Sequence, residues 1–411
     1  MRARGLVAAL GIVAMGCGST VDGVASGGPT AEAGAVDAPA TTEASVEAGV
    51  DVGVDAGFED AATEEDVPLD LGDEDVAPED VAPLDAGSAD VPLDSGTEDA
   101  AAIDVPAVDA GRDAGPRDAP PGRAEPPPVR AYSRGACPTL RRGPTSDAGL
   151  NAGFRTGGQT RQFRLIVPRN YDGAEAWPVL FAWHWLNASS GSFVRTGEIE
   201  SAAEEMRFIA VLPDGLSSYV FDWPFAEVWG VPGELTFFDD MLSCVSQQLR
   251  VDPRRVYGAG VSAGALWLTY LTTTDRADYF AAVDVMSGGL GEVPFAWRME
   301  YAPQRHKFPA LVLWGGPSDW LGLSFSEAST RYRDALIADD HFVVQCVHSA
   351  GHAVPPVEAP ADGGTRFRPL WRFLLDHPYG SAPGASPYFT TGLPAGMPSW
   401  CDIASPRPAS P

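Results

Sequence analysis

Gly260-Val261-Ser262-Ala263-Gly264 joins an apolar run, Val256 to Ala259, to the helix-forming stretch Ala263 to Thr272. A serine at such a junction occupies a sharp, strained turn, and small residues two before and two after let the chain segments pass. The turn presents the hydroxyl at a helix N-terminus, where free amides favour developing negative charge. A serine needs a base and the base needs an orienting acid. Asp319 follows the apolar run Ala310 to Trp314, and His352 follows the next one, so the order is Ser262, Asp319, His352. His348 is the rival base, and Asp284, inside an earlier apolar run, is the rival acid. The chemistry these residue types offer is nucleophilic acyl transfer.

The elements that would position them are short apolar runs at 162–167, 179–183, 208–212, 256–259 and 310–314, with a last strand at 341–347. Candidate helices fall between or after them at 197–207, 235–249, 263–272, 326–338 and 368–375. This alternation predicts an α/β fold with a mostly parallel central sheet and helices on both faces. Catalytic groups in such a sheet collect at the carboxyl ends of the strands. Aromatic residues cluster in the loops expected there: Trp185, Phe221, Trp223, Phe225, Trp229 and Trp320. They either grip an apolar or aromatic acyl group or pack the loops together.

Charge divides the chain. Of 56 acidic residues, 28 lie between Thr20 and Pro128, opposed by only Arg112, Arg117 and Arg123. All eleven Trp and all ten Tyr lie beyond Pro128. The acidic stretch repeats Asp-Val-Pro-Leu-Asp and Asp-Ala-Gly and cannot bury enough apolar surface to offset its chain entropy, so residues 18–130 are expected to be a disordered tether. Residues 131–402 are expected to form one catalytic-size domain, with 403–411 a tail. Basic residues are scattered and Lys307 is the single Lys, which argues against nucleic-acid binding.

Residues 1–17 read as a signal peptide, with Arg2 and Arg4 before an apolar run too short to span a bilayer. The run ends in Ala14-Met15-Gly16-Cys17, which resembles a bacterial lipobox and makes Cys17 a lipidation candidate; an ordinary cleaved signal peptide is the alternative. Either places the protein outside the cytoplasm, anchored by lipid to the envelope (outer membrane or cell surface) or secreted. Cys137, Cys244, Cys346 and Cys401 then allow two disulfides in three pairings, among which a Cys137–Cys401 staple of the domain ends is one. No Cys-x-x-Cys pair is present, no metal site is expected, and the chemistry needs no cofactor.

The domain resembles the polyhydroxybutyrate depolymerase and feruloyl esterase branch of secreted α/β-hydrolases. The resemblance rests on Trp177-Pro-Val-Leu-Phe-Ala-Trp-His184, on Ala210-Val-Leu-Pro-Asp214-Gly215, on Phe237-Phe238-Asp239-Asp240-Met241, on Val251-Asp252-Pro253-Arg254-Arg255-Val256-Tyr257 before the Gly-x-Ser-x-Gly turn, and on Gly351-His352. It implies a Ser262–His352–Asp319 triad. The family has His-Gly after the strand that supplies an oxyanion donor, whereas Trp185 follows His184 here. A backbone amide does not depend on its side chain, so Trp185 and Ala263 are expected to supply the two N–H donors, with the indoles of Trp185, Trp223, Trp229 and Trp320 walling the substrate site. The implied substrate is a carboxylic ester, polymeric or polysaccharide-linked, hydrolysed by a monomer. A non-catalytic surface lipoprotein and a serine peptidase of the same fold are the competing readings.

Overall fold

The computed structural model describes residues 125–294 and 297–407. The expected signal peptide, Cys17 and nearly all of the acidic stretch lie outside the described residues. The chain runs β1 (Leu150–Thr156), β2 (Gln159–Ile166), β3 (Trp177–Trp183), α1 (Ser190–Thr196), α2 (Ile199–Met206), β4 (Ile209–Pro213), α3 (Val231–Gln248), β5 (Val251–Val261), α4 (Ala263–Thr272) and β6 (Ala282–Met286). It continues through a short hairpin, β7 (Glu292–Val293) and β8 (Trp297–Arg298), to β9 (Ala310–Trp314), α5 (Phe325–Ala338), β10 (Val343–Val347), α6 (Arg368–Leu375), α7 (Tyr388–Thr391) and β11 (Cys401–Ile403).

Nine strands form one sheet in the order β1-β2-β4-β3-β5-β6-β9-β10-β11. The six from β4 to β10 are parallel, and antiparallel pairs close both edges. The central strands read as unbroken apolar runs because helices cover both faces; β3, β4, β6 and β9 are buried at every position. One core layer joins the sheet to α3, α4 and α5 through residues such as Phe237, Phe238, Trp267 and Tyr332. The other joins it to α1, α2, α6 and α7 through Phe193, Ile199, Trp371 and Tyr388. The expected α/β sheet with helices on both faces is the observed fold.

Three details differ from expectation. The helix expected over 197–207 is present as α2, but an unexpected helix, α1, precedes it, the two being separated at Glu198, whose φ of 52° is left-handed. Strand β1 carries Gly153 and alternates in burial rather than forming an apolar run, and β11 has only three residues, so neither stood out. The Cys137–Cys401 staple does not form. Cys346 faces Cys401 directly across the β10–β11 pair and bonds to it. Cys137 bonds to Cys244 in α3, because the N-terminal segment runs along that helix, with Ser133 donating to Asp240 from both its amide and its hydroxyl. Phe237-Phe238-Asp239-Asp240 is thereby a packing motif: its rings fill the core, Asp240 holds the N-terminal segment, and Asp239 pairs with Arg276.

Candidate active site

Ser262 sits between β5 and α4 at φ 55° and ψ −119°, a conformation outside both helix and strand. Two hydrogen bonds hold it there: its N–H donates to the Met286 carbonyl at 2.9 Å, and its carbonyl accepts from Leu266 N–H at 2.9 Å. Gly264 is required by close approach, since a Cβ there would lie 2.2 Å from the Trp183 carbonyl oxygen and 2.5 Å from that of His184. The start of α4 therefore touches the end of β3, which is the neighbour of β5 in the sheet. Ala263 opens α4, so its amide is among those a helix leaves without an intrahelical acceptor.

Ser262 Oγ lies 2.9 Å from His352 Nε2, and His352 Nδ1 lies 2.6 Å from Asp319 Oδ1. Phe325 stacks on the imidazole with ring centroids 4.2 Å apart, which fixes its plane. Asp319 is fully buried. Its second oxygen accepts from Ser287 Oγ–H at 2.8 Å and Gly315 N–H at 2.8 Å. Burial alone would raise its pKa, but the hydrogen bonds from His352, Gly315 and Ser287 outweigh it and hold the carboxyl below its usual range. Gly315 also seats the Asp319 loop against the His352 loop, since a Cβ there would meet the Gly351 carbonyl oxygen at 1.9 Å. Ser287 and Gly315 escaped the sequence reading. The available signal for Ser287 was a small hydroxyl residue just past β6, a strand lying between those of the serine and the acid.

Neither rival joins this relay. His348 is buried, with Nδ1 accepting from Ala350 N–H and Nε2 unpaired among the described residues. Asp284 is buried within β6, with neither carboxyl oxygen hydrogen-bonded among the described residues.

Of the aromatic candidates, Trp229 and Trp320 are 66% and 61% exposed, and Trp185 is half-buried against Phe193. Trp223 departs from expectation: it is fully buried and its indole N–H donates to the His184 carbonyl at 2.9 Å, so it braces a loop rather than walling an open site. Phe225 is buried too, stacked on Phe221. Left-handed backbone in the loop after β3 falls at Asn187, with φ 58°, and not at Trp185, so the tryptophan needs no glycine-like conformation.

The fold is similar to that of the solved structure of native sOPH. The superposition has a TM-score of 0.51 at 18% identity and covers 66% of this chain and 96% of that one. The domain has the α/β-hydrolase fold. No family model matches the chain. Feruloyl esterase D of Neurospora crassa is 29% identical over 167 residues, which are 38% of this chain and 52% of the relative. Oxidized polyvinyl alcohol hydrolase of a Sphingopyxis species is 25% identical over 327 residues, 62% of this chain and 85% of the relative. The chain spans about half the length of the feruloyl esterases it matches. The resemblance of this α/β-hydrolase domain to feruloyl esterases holds, and the named relatives are an esterase and a hydrolase.

Proposed function

We propose that the chain is an exported serine esterase working through an acyl-enzyme. The observation that carries this reading is the relay of 2.9 Å from Ser262 Oγ to His352 Nε2 and 2.6 Å from His352 Nδ1 to Asp319. His352 takes the Ser262 proton as the oxygen attacks the ester carbonyl. Asp319 holds the imidazole in the tautomer that leaves Nε2 free to accept and stabilises the imidazolium that forms. The tetrahedral oxyanion is met by the amides of Ala263 and Trp185. His352 then protonates the departing alcohol, and water, deprotonated by the same imidazole, releases the acid.

The acyl or alcohol portion is apolar or aromatic in this reading. Among the described residues the exposed large hydrophobics are Val220, Val228, Trp229, Trp320, Leu321 and Val354. All six belong to the loops that follow β4, β9 and β10, and Trp320 and Val354 lie within two residues of Asp319 and His352. Aromatic acyl esters and short hydroxyalkanoate oligomers both fit such a rim. Export is supported by the disulfides Cys137–Cys244 and Cys346–Cys401. Anchoring at Cys17 and a tether ahead of the domain complete the proposal, with a monomeric domain that reaches beyond the expected 131–402: Val129 packs on the core, Arg130 pairs with Asp275, and β11 runs to Ile403 with Ser405 bonded to Val343.

The test is hydrolysis of p-nitrophenyl butyrate by the wild-type protein and by Ser262→Ala, with fluorophosphonate labelling alongside. Turnover that falls by several orders of magnitude in the variant supports the esterase. A folded protein that neither turns over ester nor takes the label overturns it in favour of a binding module. Cleavage of peptides in preference to esters would make it a peptidase.

A further inference from the structure

The loop after β3 has little regular structure, yet residues 184–190 are held at four places by the segment 214–223 that follows β4. Gly215 N–H donates to His184 Nε2 at 2.9 Å, and Trp223 Nε1–H donates to the His184 carbonyl at 2.9 Å. Asp222 Oδ2 accepts Asn187 N–H at 2.7 Å, and Asp214 Oδ1 accepts Ser190 N–H at 2.6 Å. Because His184 Nε2 is an acceptor, Nδ1 carries the proton, and it donates to the Trp185 carbonyl at 2.8 Å. The Trp223 and His184 rings lie with centroids 4.9 Å apart. His184 is buried, and burial lowers its pKa and favours the neutral ring this pattern needs.

The His184 carbonyl and the Trp185 N–H belong to one peptide group, which is planar and trans. They point in opposite directions. A donor fixed on the carbonyl therefore fixes where the amide points, and it also polarises that amide toward stronger donation. The next peptide, which begins with the Trp185 carbonyl, is fixed by the His184 ring. Both peptide groups flanking Trp185 are thus anchored from behind.

We propose that Trp223 and Asp222 are positioning residues that aim the Trp185 amide at the oxyanion. The inference rests on the esterase reading of Ser262. It gives the buried indole a role: among the described residues Trp223 is the side chain of the segment that hydrogen-bonds the His184 carbonyl, and phenylalanine would keep the ring but lose the donor.

Trp223→Phe tests it, with p-nitrophenyl butyrate compared against the corresponding thionobutyrate. A thiocarbonyl sulfur accepts hydrogen bonds poorly, so the thiono ester draws little from the oxyanion donors while using the same serine and histidine. We expect kcat/KM for the oxygen ester to fall about 10- to 100-fold, mostly in kcat, and the thiono value to fall no more than about threefold. A general loss of structure lowers both equally, and that result overturns the proposal, as does an unchanged ratio. Asp222→Ala and Asp222→Asn supply a second pair should Trp223→Phe fold poorly. The alanine variant should lower the ratio several-fold, and the asparagine variant, which keeps an acceptor for Asn187, should restore it. Absence of both turnover and fluorophosphonate labelling in the wild-type protein sinks the esterase reading and this inference with it. A labelled, active wild type whose ratio does not respond sinks this inference alone.

Discussion

Asp319 and Asp284 are both fully buried, one in the loop after β9 and the other within the adjacent strand β6. Asp319, past the carboxyl end of β9, receives hydrogen bonds from an imidazole, a hydroxyl and an amide. Asp284, in the middle of β6, has none among the described residues and lies on the sheet face it shares with Ala282 and Met286, in the core layer of Leu311 and Trp371. Their pKa values move apart accordingly. Burial raises that of Asp284 well above the usual carboxyl range, while the donors around Asp319 reverse the same penalty. A buried carboxyl becomes an ionised orienting group only where the fold has gathered donors for it, and strand ends are where donors are available.

The largest expected difference is in turnover. Asp319→Asn should lower kcat on p-nitrophenyl butyrate by about 10⁴-fold, because the amide favours the wrong imidazole tautomer. Asp284→Asn should leave kcat within about threefold. Equal losses in the two variants would break the comparison.

Acid should act on the Asp319 side of it. A carboxyl held below its usual pKa contributes stability above its unfolded value and loses it as pH falls through the folded one. Buried histidines reinforce this: the pKa of His184, His341, His348 and His377 is lowered by burial, that of His377 to about 4. The unfolded chain takes up those protons first, so stability should fall from about pH 6.5 downward, with His377 alone accounting for roughly 3 kcal/mol by pH 4. Thermal midpoints measured across that range check it, and a flat profile refutes it.

Ser287→Ala removes one of the donors to Asp319 and should lower kcat about tenfold, the effect of one hydrogen bond to a charged group. Activity equal to wild type would mean that Gly315 and His352 suffice. The smallest effect is on stability. Burial favours the neutral form of Asp284 in the fold, while the unfolded carboxyl ionises in its ordinary range, so its contribution is lost as pH rises above about 4. Asp284→Asn should therefore melt at a higher temperature than wild type at pH 8, by a few degrees, and the gap should shrink toward pH 4. A gap independent of pH would show that Asp284 is ionised in the fold.

The sheet was legible because its central strands are buried on both faces and so read as apolar runs, and the Gly-x-Ser-x-Gly turn was legible because close packing demands glycine at 260 and 264. Edge strands β1 and β11 left little trace, being half-exposed or very short. Residue order suggested Ser262, Asp319 and His352 and could not exclude His348 or Asp284, since burial and donor geometry are not written in spacing. The same limit applies to Trp223. An aromatic residue in a loop near the site reads as substrate wall or as packing with equal ease, and only the direction of its N–H distinguishes them.

The Cys346–Cys401 bond joins residues 55 apart, and His352 lies between them. The segment carrying His352 is thus a covalently closed loop, and its exposed stretch at 358–363 is where a protease would find the chain. A single cut there leaves the two pieces still linked and β10 still paired with β9 and β11. Nicked and intact protein would migrate together until reducing agent is added, and a nicked molecule could continue to work.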